Sequence, residues 1–388
     1  MYKAIVNGQI VAGDRLLQGQ ALVYDSLIRK ICPQNELAAL PIAQVDDAHG
    51  LLVSPGLIDT HIHGLCGADV MDCNQSSLAA IGRALVQHGV TSWLPTTMTA
   101  PWEQIAGALS TVRSALTCVG RGQDDSQIGA QILGVHLEGP FLSRRFCGAH
   151  NARYLLAPDA TKVLCHRDLI RLVTYAPELD RDQLFAQQLL QGGIVPSIGH
   201  TASDYATTRR ALTAGVNHAT HLFNAMPPLH HRQPGPLGAI LEAGIHCELI
   251  ADGLHLHESV YQLALRAIGL ERVVLISDSM RAAGLDDGSF DLGGQTVYVQ
   301  QGEARLADGA LAGSVITLNQ AVRNFQAGTG LSIAQALRAA TLNPANLLGL
   351  AGQKGSLTPG SDADIVVFDA ELRAQLTIVQ GQIAFRRA

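Results

Sequence analysis

The chain has 388 residues, room for two or three domains or for one large α/β barrel with an attached module. Hydrophobic residues make up 47% and charged residues 15%, which excludes a disordered chain or a coiled coil. A net charge of −6 without a long basic run removes nucleic acid as a partner, and the longest uncharged window, residues 211–231, is too broken by His, Asn, Thr and Pro to span a membrane.

The opening residues reach a turn before a secretion-signal core could form, and the seven cysteines are odd in number and lack any C-x-x-C pair. Both features predict reduced thiols in a cytoplasmic protein. Residues 4–11 read as two short β runs around Asn7-Gly8, a favoured type I′ hairpin turn, and β-rich segments continue over residues 21–31. At the other end, residues 364–369 form a β run and residues 376–385 fold back around Gln380-Gly381. None of these pieces can hold a core alone. Residues 1–53 and 356–388 are therefore predicted to share one small β-sandwich module, bounded by Ser54-Pro55-Gly56 and by residues 355–360.

Between the ends, eight apolar or β-branched runs alternate with helical segments: 57–63, 91–96, 132–138, 172–176, 194–200, 216–222, 247–251 and 273–278. Leu78, Ile81 and Leu85 follow Ser76-Ser77 and stop near Gly89, while Ile105, Leu109, Val112 and Leu116 repeat at three or four residues. Residues 203–215 carry a start cap and a stop glycine. Eight β runs separated by helices predict a TIM-like (β/α)8 barrel over residues 54–355, an α/β fold. A doubly wound sheet is the competing arrangement, but no Gly-x-Gly-x-x-Gly follows the first run.

The chain has 15 histidines, and their placement is informative. His61 and His63 end the first run, Glu138 the third and His200 the fifth; His221 lies in the sixth and Asp278 ends the eighth. Barrel active sites are built at such C-terminal strand ends. Residues two apart on a strand share a face, so His61 and His63 can hold one ion. With Glu138, His200 and His221 they form an imidazole and carboxylate set suited to zinc or iron. The four lysines, at 3, 30, 162 and 354, miss every predicted strand end, so a carboxylate, Glu138, is expected to bridge the ligands in place of a modified lysine. Asp278 is expected to be the general base beside an ion-activated water rather than an ordinary helix cap. His136 shares a face with Glu138 one layer deeper, which predicts packing or ligand support. His218 is expected to face the opposite side of its strand from His221, and His230, His231, His246 and His257 to be structural or solvated.

Four strings, Pro55-Gly56-Leu57-Ile58-Asp59-Thr60-His61-Ile62-His63-Gly64, His136-Leu137-Glu138-Gly139-Pro140-Phe141, Gly199-His200-Thr201 and His221-Leu222-Phe223-Asn224-Ala225-Met226, resemble the N-acetylglucosamine-6-phosphate deacetylases of the amidohydrolase superfamily. The similarity runs over essentially the whole chain. It implies that Glu138, His200 and His221 bind the principal metal, His61 and His63 a second one, and that Asp278 is general base and acid. It implies one or two divalent ions, zinc first, with Fe, Mn or Co as alternatives. His150 matches a histidine that contacts the sugar and polarises the amide carbonyl. Asn224 and Ala225 match a stretch whose backbone meets the phosphate. Arg232 and His255 look like the phosphate-binding pair, completed across the interface of a homodimer.

The implied reaction is hydrolysis of the acetamide of N-acetylglucosamine 6-phosphate to acetate and glucosamine 6-phosphate, in amino-sugar catabolism. The galacto epimer is the alternative substrate. A cyclic-amide hydrolase and a sugar-phosphate sensor without turnover are remoter readings. Where the family usually has a small residue and then prolines after the aspartate, this chain has Ser279-Met280-Arg281, close to the expected sugar position.

Overall fold

A computed structural model describes residues 1–118 and 128–388. Eight parallel strands follow one another around a barrel: β1 (Leu57–Ile62), β2 (Val90–Thr97), β3 (Val135–Glu138), β4 (Ile170–Tyr175), β5 (Val195–Ile198), β6 (His218–Ala219), β7 (His246–Ile250) and β8 (Val273–Ile276). At the seam between β8 and β1, the Asp278 N–H donates to the His61 carbonyl at 2.8 Å. At the opposite end the carbonyls of Ala339 and Ala340 accept from Leu275 and Ile58. The strands are almost entirely buried because helices cover their outer faces, the usual reason parallel strands read as unbroken apolar runs.

The predicted helices occur at Gln75–Val86, Trp102–Cys118 and Tyr205–Thr213. Their starts differ slightly from the sequence reading. Asn74 accepts from the Ser77 N–H and Asp204 from the Thr207 N–H, so these short polar side chains, rather than the neighbouring serines, satisfy the free donors of the first turn.

Both termini build sheets beside the barrel. Tyr2–Val6, Gln20–Tyr24, Ile28–Pro33 and Ile42–Asp47 form one sheet. The other contains Gln9–Ala12, Arg15–Leu17, Leu52–Pro55, Ile365–Phe368, Ala374–Val379 and Gln382–Arg386. Ile5, Leu22 and Tyr24 from the first pack in one buried cluster with Ile10, Val53, Ile365 and Ile378 from the second. The expected turn at Gln380-Gly381 joins the last two strands.

The hairpin expected at Asn7-Gly8 does not form. Its two β runs exist but enter different sheets, and the chain crosses between them there. A Cβ on Gly8 would lie 2.5 Å from Val53 Cγ2, so the glycine answers a close interior approach instead of a tight hairpin. A three-stranded sheet, Gly288–Leu292, Gln295–Gln300 and Glu303–Leu306, also lies outside the sequence reading. It overhangs the C-terminal rim of the barrel, where Leu292 enters the cavity described next.

Candidate active site

His61 is the fifth residue of β1, and Glu138 is the last of β3. His63 follows β1 directly. His200, His221 and Asp278 each stand two residues beyond the ends of β5, β6 and β8, at positive φ of 47°, 26° and 47°. A side chain held in the left-handed region costs on the order of 1–3 kcal/mol, and it is imposed at four of the predicted site residues, these three and Ala225 at 52°. His221 is thus not inside its strand, as the 216–222 run had suggested; the ladder ends at Ala219 and the chain turns.

These side chains converge. Glu138 Oε1 lies 3.1 Å from Nε2 of both His200 and His221. Its Oε2 lies 3.3 Å from His61 Nε2, 3.1 Å from His63 Nε2 and 3.3 Å from His150 Nε2. Asp278 Oδ1 is 3.4 and 3.2 Å from Nε2 of His61 and His63. The donor atoms fall into three groups with ion-binding spacing, Glu138-His200-His221, His61-His63-Asp278 and His61-His136-Glu248, and Glu138 stands between the first two.

The donor chemistry fits a divalent cation. His200 Nδ1 donates to the Phe146 carbonyl at 2.9 Å and His63 Nδ1 to the Thr96 carbonyl at 3.2 Å, while His61 Nδ1 faces Glu248 Oε2 at 3.0 Å. With the proton on Nδ1, each Nε2 presents a lone pair to the cluster, the arrangement that oriented metal-binding histidines adopt. Nε2 of His200 and of His221 face each other at 3.0 Å beside a carboxylate oxygen. His61 Nε2 is buried without a hydrogen-bond partner among the described residues. A cation resolves both conflicts.

The same crowding governs the ionisation of the cluster. Burial alone would raise the Glu138 pKa, but His61 and His150 outweigh it and hold the carboxyl well below its usual range. Burial also opposes ionisation of Asp278, yet His61 and His63 bring it down to about 2. Burial, with His150 and His221 adding, pushes His200 down to about 4.

The cluster floors a cavity of about 240 Å³ whose walls include Met98, His150, Asn224, Ala225, His255 and Leu292. His150 Nδ1 accepts from the Thr99 N–H at 3.1 Å, which leaves its proton on Nε2, facing the cluster. His255 Nδ1 is tied to Asp252 Oδ2 at 2.7 Å. Arg232 is not brought into the cavity: it is exposed, with its guanidinium 2.8 Å from His231 Nε2. Arg281 also turns away from the expected sugar position. Its guanidinium pairs with Asp72 at 3.0 Å and Asp69 at 3.5 Å, pinning the segment after β1.

Below the ligands lies a polar layer. His136 bridges the Thr60 carbonyl and Thr174 Oγ1, in keeping with its expected supporting place. From Thr174 the bonds continue through Thr220 and Ser197 to His218 Nδ1. His218 therefore faces the barrel interior, contrary to the strand-parity expectation, because β6 ends before His221 and the alternation does not carry through. Glu248 is the principal residue that sequence reasoning missed. The signal was available as one carboxylate inside the otherwise apolar run of β7, Cys247-Glu248-Leu249-Ile250.

A rim of histidines and carboxylates on a (β/α)8 barrel, with ion-binding spacing beneath an open cavity, defines a metal-dependent hydrolase of the amidohydrolase class, and the amidohydrolase family model matches residues 52–384. N-acetylglucosamine-6-phosphate deacetylase from Bacillus subtilis is 41% identical over 336 residues, 85% of this chain and 84% of that protein. N-acetylgalactosamine-6-phosphate deacetylase from Escherichia coli O157:H7 is 37% identical over 94% of both chains. The crystal structure of N-acetylglucosamine-6-phosphate deacetylase from Pasteurella multocida superposes with a TM-score of 0.92 at 31% identity, covering 99% of both chains. The chain belongs to the amidohydrolase family and, within it, to the N-acetylglucosamine-6-phosphate deacetylases.

Proposed function

We propose that this protein hydrolyses the acetamide of N-acetylglucosamine 6-phosphate, giving acetate and glucosamine 6-phosphate. The observation that carries this reading is Glu138, whose two oxygens each face a separate imidazole set at the floor of a cavity open to a small molecule. Glu138, His200 and His221 would hold the principal ion, and His61 and His63 a second one. A divalent ion there supplies Lewis acidity, which acidifies water and polarises a carbonyl. Zinc suits this nitrogen and oxygen donor set; iron, manganese and cobalt share it.

Asp278 borders the cavity as a carboxylate. It takes the proton of the attacking water and delivers it to the departing nitrogen. His150 presents its Nε2 proton to the carbonyl oxygen as negative charge develops there. Asn224, Ala225 and His255 line the side where the phosphate would be held. Anchoring the phosphate fixes the amide against Asp278 and His150. Arg232 would complete that pocket across a homodimer interface. Its exposure on a loop outside its own chain's cavity supports this arrangement.

We assign residues 54–355 to the catalytic barrel and residues 1–53 with 356–388 to its supporting module, and we place the enzyme in the cytoplasm. No described helix is long and apolar enough to cross a membrane. The E. coli relative gives the galacto epimer a claim as substrate. Acetate release measured with both epimers tests the assignment. Faster turnover, by kcat/KM, of the gluco substrate is expected; the reverse would transfer the assignment to the epimer, and release from neither would end it.

A further inference from the structure

Although Glu248 forms a third set at ion-binding spacing with His61 and His136, it is fully buried on β7, off the cavity wall, and lies outside the Glu138-His200-His221 and His61-His63-Asp278 groups. Its Oε2 nevertheless touches one member of each. It accepts from His61 Nδ1 at 3.0 Å, and it accepts from the backbone N–H of His221 at 3.3 Å. The Glu248 carbonyl receives the Leu222 N–H at 2.9 Å, so the turn carrying His221 is held to this residue twice. The second side-chain oxygen, Oε1, has no hydrogen-bond partner among the described residues and lies 3.9 Å from the bare Nε2 of His218.

A carboxylate buried in an apolar strand is costly unless its bonds are used. Here they fix two features that ion binding needs. The bond to His61 sets that ring's tautomer and aims its Nε2 at Glu138. The bond to the His221 backbone steadies a residue held at a φ of 26°. We propose that Glu248 is a positioning residue that registers the His61-His63 group against the Glu138-His200-His221 group, so that two ions can be held together. This rests on the reading that the cluster binds divalent ions.

The test separates reach from charge. Glu248→Gln keeps the length of the side chain: its amide oxygen can accept from His61 and His221 while its NH₂ faces the bare Nε2 of His218. Glu248→Asp keeps the charge but is one methylene too short to meet both donors. Each chelator-stripped, full-length protein is titrated with Co²⁺, reading the visible absorption of the bound ion and the number of equivalents taken up. The melting temperature is measured with and without ion, since a purely structural role would shift the stripped protein as much as the loaded one.

Supporting residues of this kind contribute about 10- to 100-fold in metal affinity. The expected result is a loss of that size for the Asp variant at the second equivalent, with the Gln variant close to the parent. An Asp variant that binds as well as the parent, or better than the Gln variant, would overturn the proposal. So would equal losses in both. Failure of the parent protein to take up any Co²⁺ would overturn the metal reading itself, and this inference with it.

Discussion

The backbone N–H of Thr99, just beyond β2, donates to Nδ1 of His150 at 3.1 Å. That bond leaves Nε2 as the ring's donor, 3.3 Å from Glu138 Oε2 at the cavity floor. A substrate carbonyl entering there meets a preset proton donor. His150→Asn should therefore lower kcat by about 100- to 1,000-fold, the usual cost of removing one donor from a developing oxyanion, with little change in KM. Steady-state acetate release checks this. A change confined to KM would make His150 a binding group only.

Asp278 carries a second expectation. Its carboxyl is held down to about 2, and it borders both the cavity and the His61-His63 pair. Asp278→Asn preserves shape and removes the proton acceptor. Turnover should fall by at least about 100-fold. The fold and the ion held by Glu138, His200 and His221 should survive. Ion content of the purified variant alongside its kcat decides the matter, because loss of activity together with that ion would make Asp278 a ligand before a base.

The site was more legible in the sequence than its surroundings. His61, His63, Glu138, His200, His221 and Asp278 could be placed because strand ends in a barrel converge, so chemistry-bearing residues at or near the ends of five of the eight runs must share one rim. Glu248 escaped because a lone carboxylate within an apolar run has no spacing partner in sequence; its partners are 187 and 27 residues away. His218 was misplaced for a related reason, since parity fails once a two-residue strand ends. The Asn7-Gly8 turn has hairpin chemistry, but the pairing of Gln9 and Ile10 with Leu52 and Val53 that takes the chain into the second sheet is tertiary. In the overhanging sheet, by contrast, Gln295–Gln300 does alternate buried and exposed residues, a signal that the chain order carried.

The ion-free cluster should show a defined pH response. Burial alone would lower the His63 pKa, but Asp278 and Glu138 outweigh it and lift it from 6.5 to about 9. The folded value is above the unfolded one, so this proton contributes stability to the ion-free protein below pH 6.5 that is lost as pH rises through about 9. A bound ion must displace the same proton, so ion affinity moves the other way, rising by up to roughly tenfold per pH unit across that window. Chelator competition at several pH values measures it, and a flat profile would mean that His63 holds no proton for the ion to displace.

Arg232 tests the phosphate side. Arg232→Ala should raise KM for the phosphorylated substrate by about 10- to 100-fold, the range for a hydrogen bond to a charged group. The unphosphorylated sugar should be almost unaffected. Equal effects on both would remove Arg232 from phosphate binding. If its contribution arrives from a partner subunit, mixing the Ala variant with an Asp278→Asn variant should restore part of the activity, since some mixed dimers then hold one intact site.

The last expectation concerns Lys354, which the sequence reading used only to exclude a bridging lysine. It is buried, with Nζ 2.6 Å from Asp364 Oδ2 and 2.9 Å from Asp362 Oδ2. Asp364 also accepts the Gln380 N–H on Oδ1, and its carbonyl accepts the Gly56 N–H immediately before β1. The ion pair thus ties residue 354 to the segment that enters the terminal sheet, and the backbone of the same aspartate ties that segment to the residue before β1. Lys354→Met fills the space but leaves two aspartates beside each other without their cation. Burial already raises the Asp364 pKa, and Lys354 is the main group that opposes the rise, with the Gln380 N–H adding to it. The variant should lose about 3–5 kcal/mol of stability, as when one partner of a buried pair is removed. Because an uncompensated Asp364 can then take up a proton, part of the loss should be recovered as pH is lowered, and denaturant unfolding at two pH values reads both effects. A loss that does not depend on pH would assign the cost to packing instead of to the unpaired carboxylates.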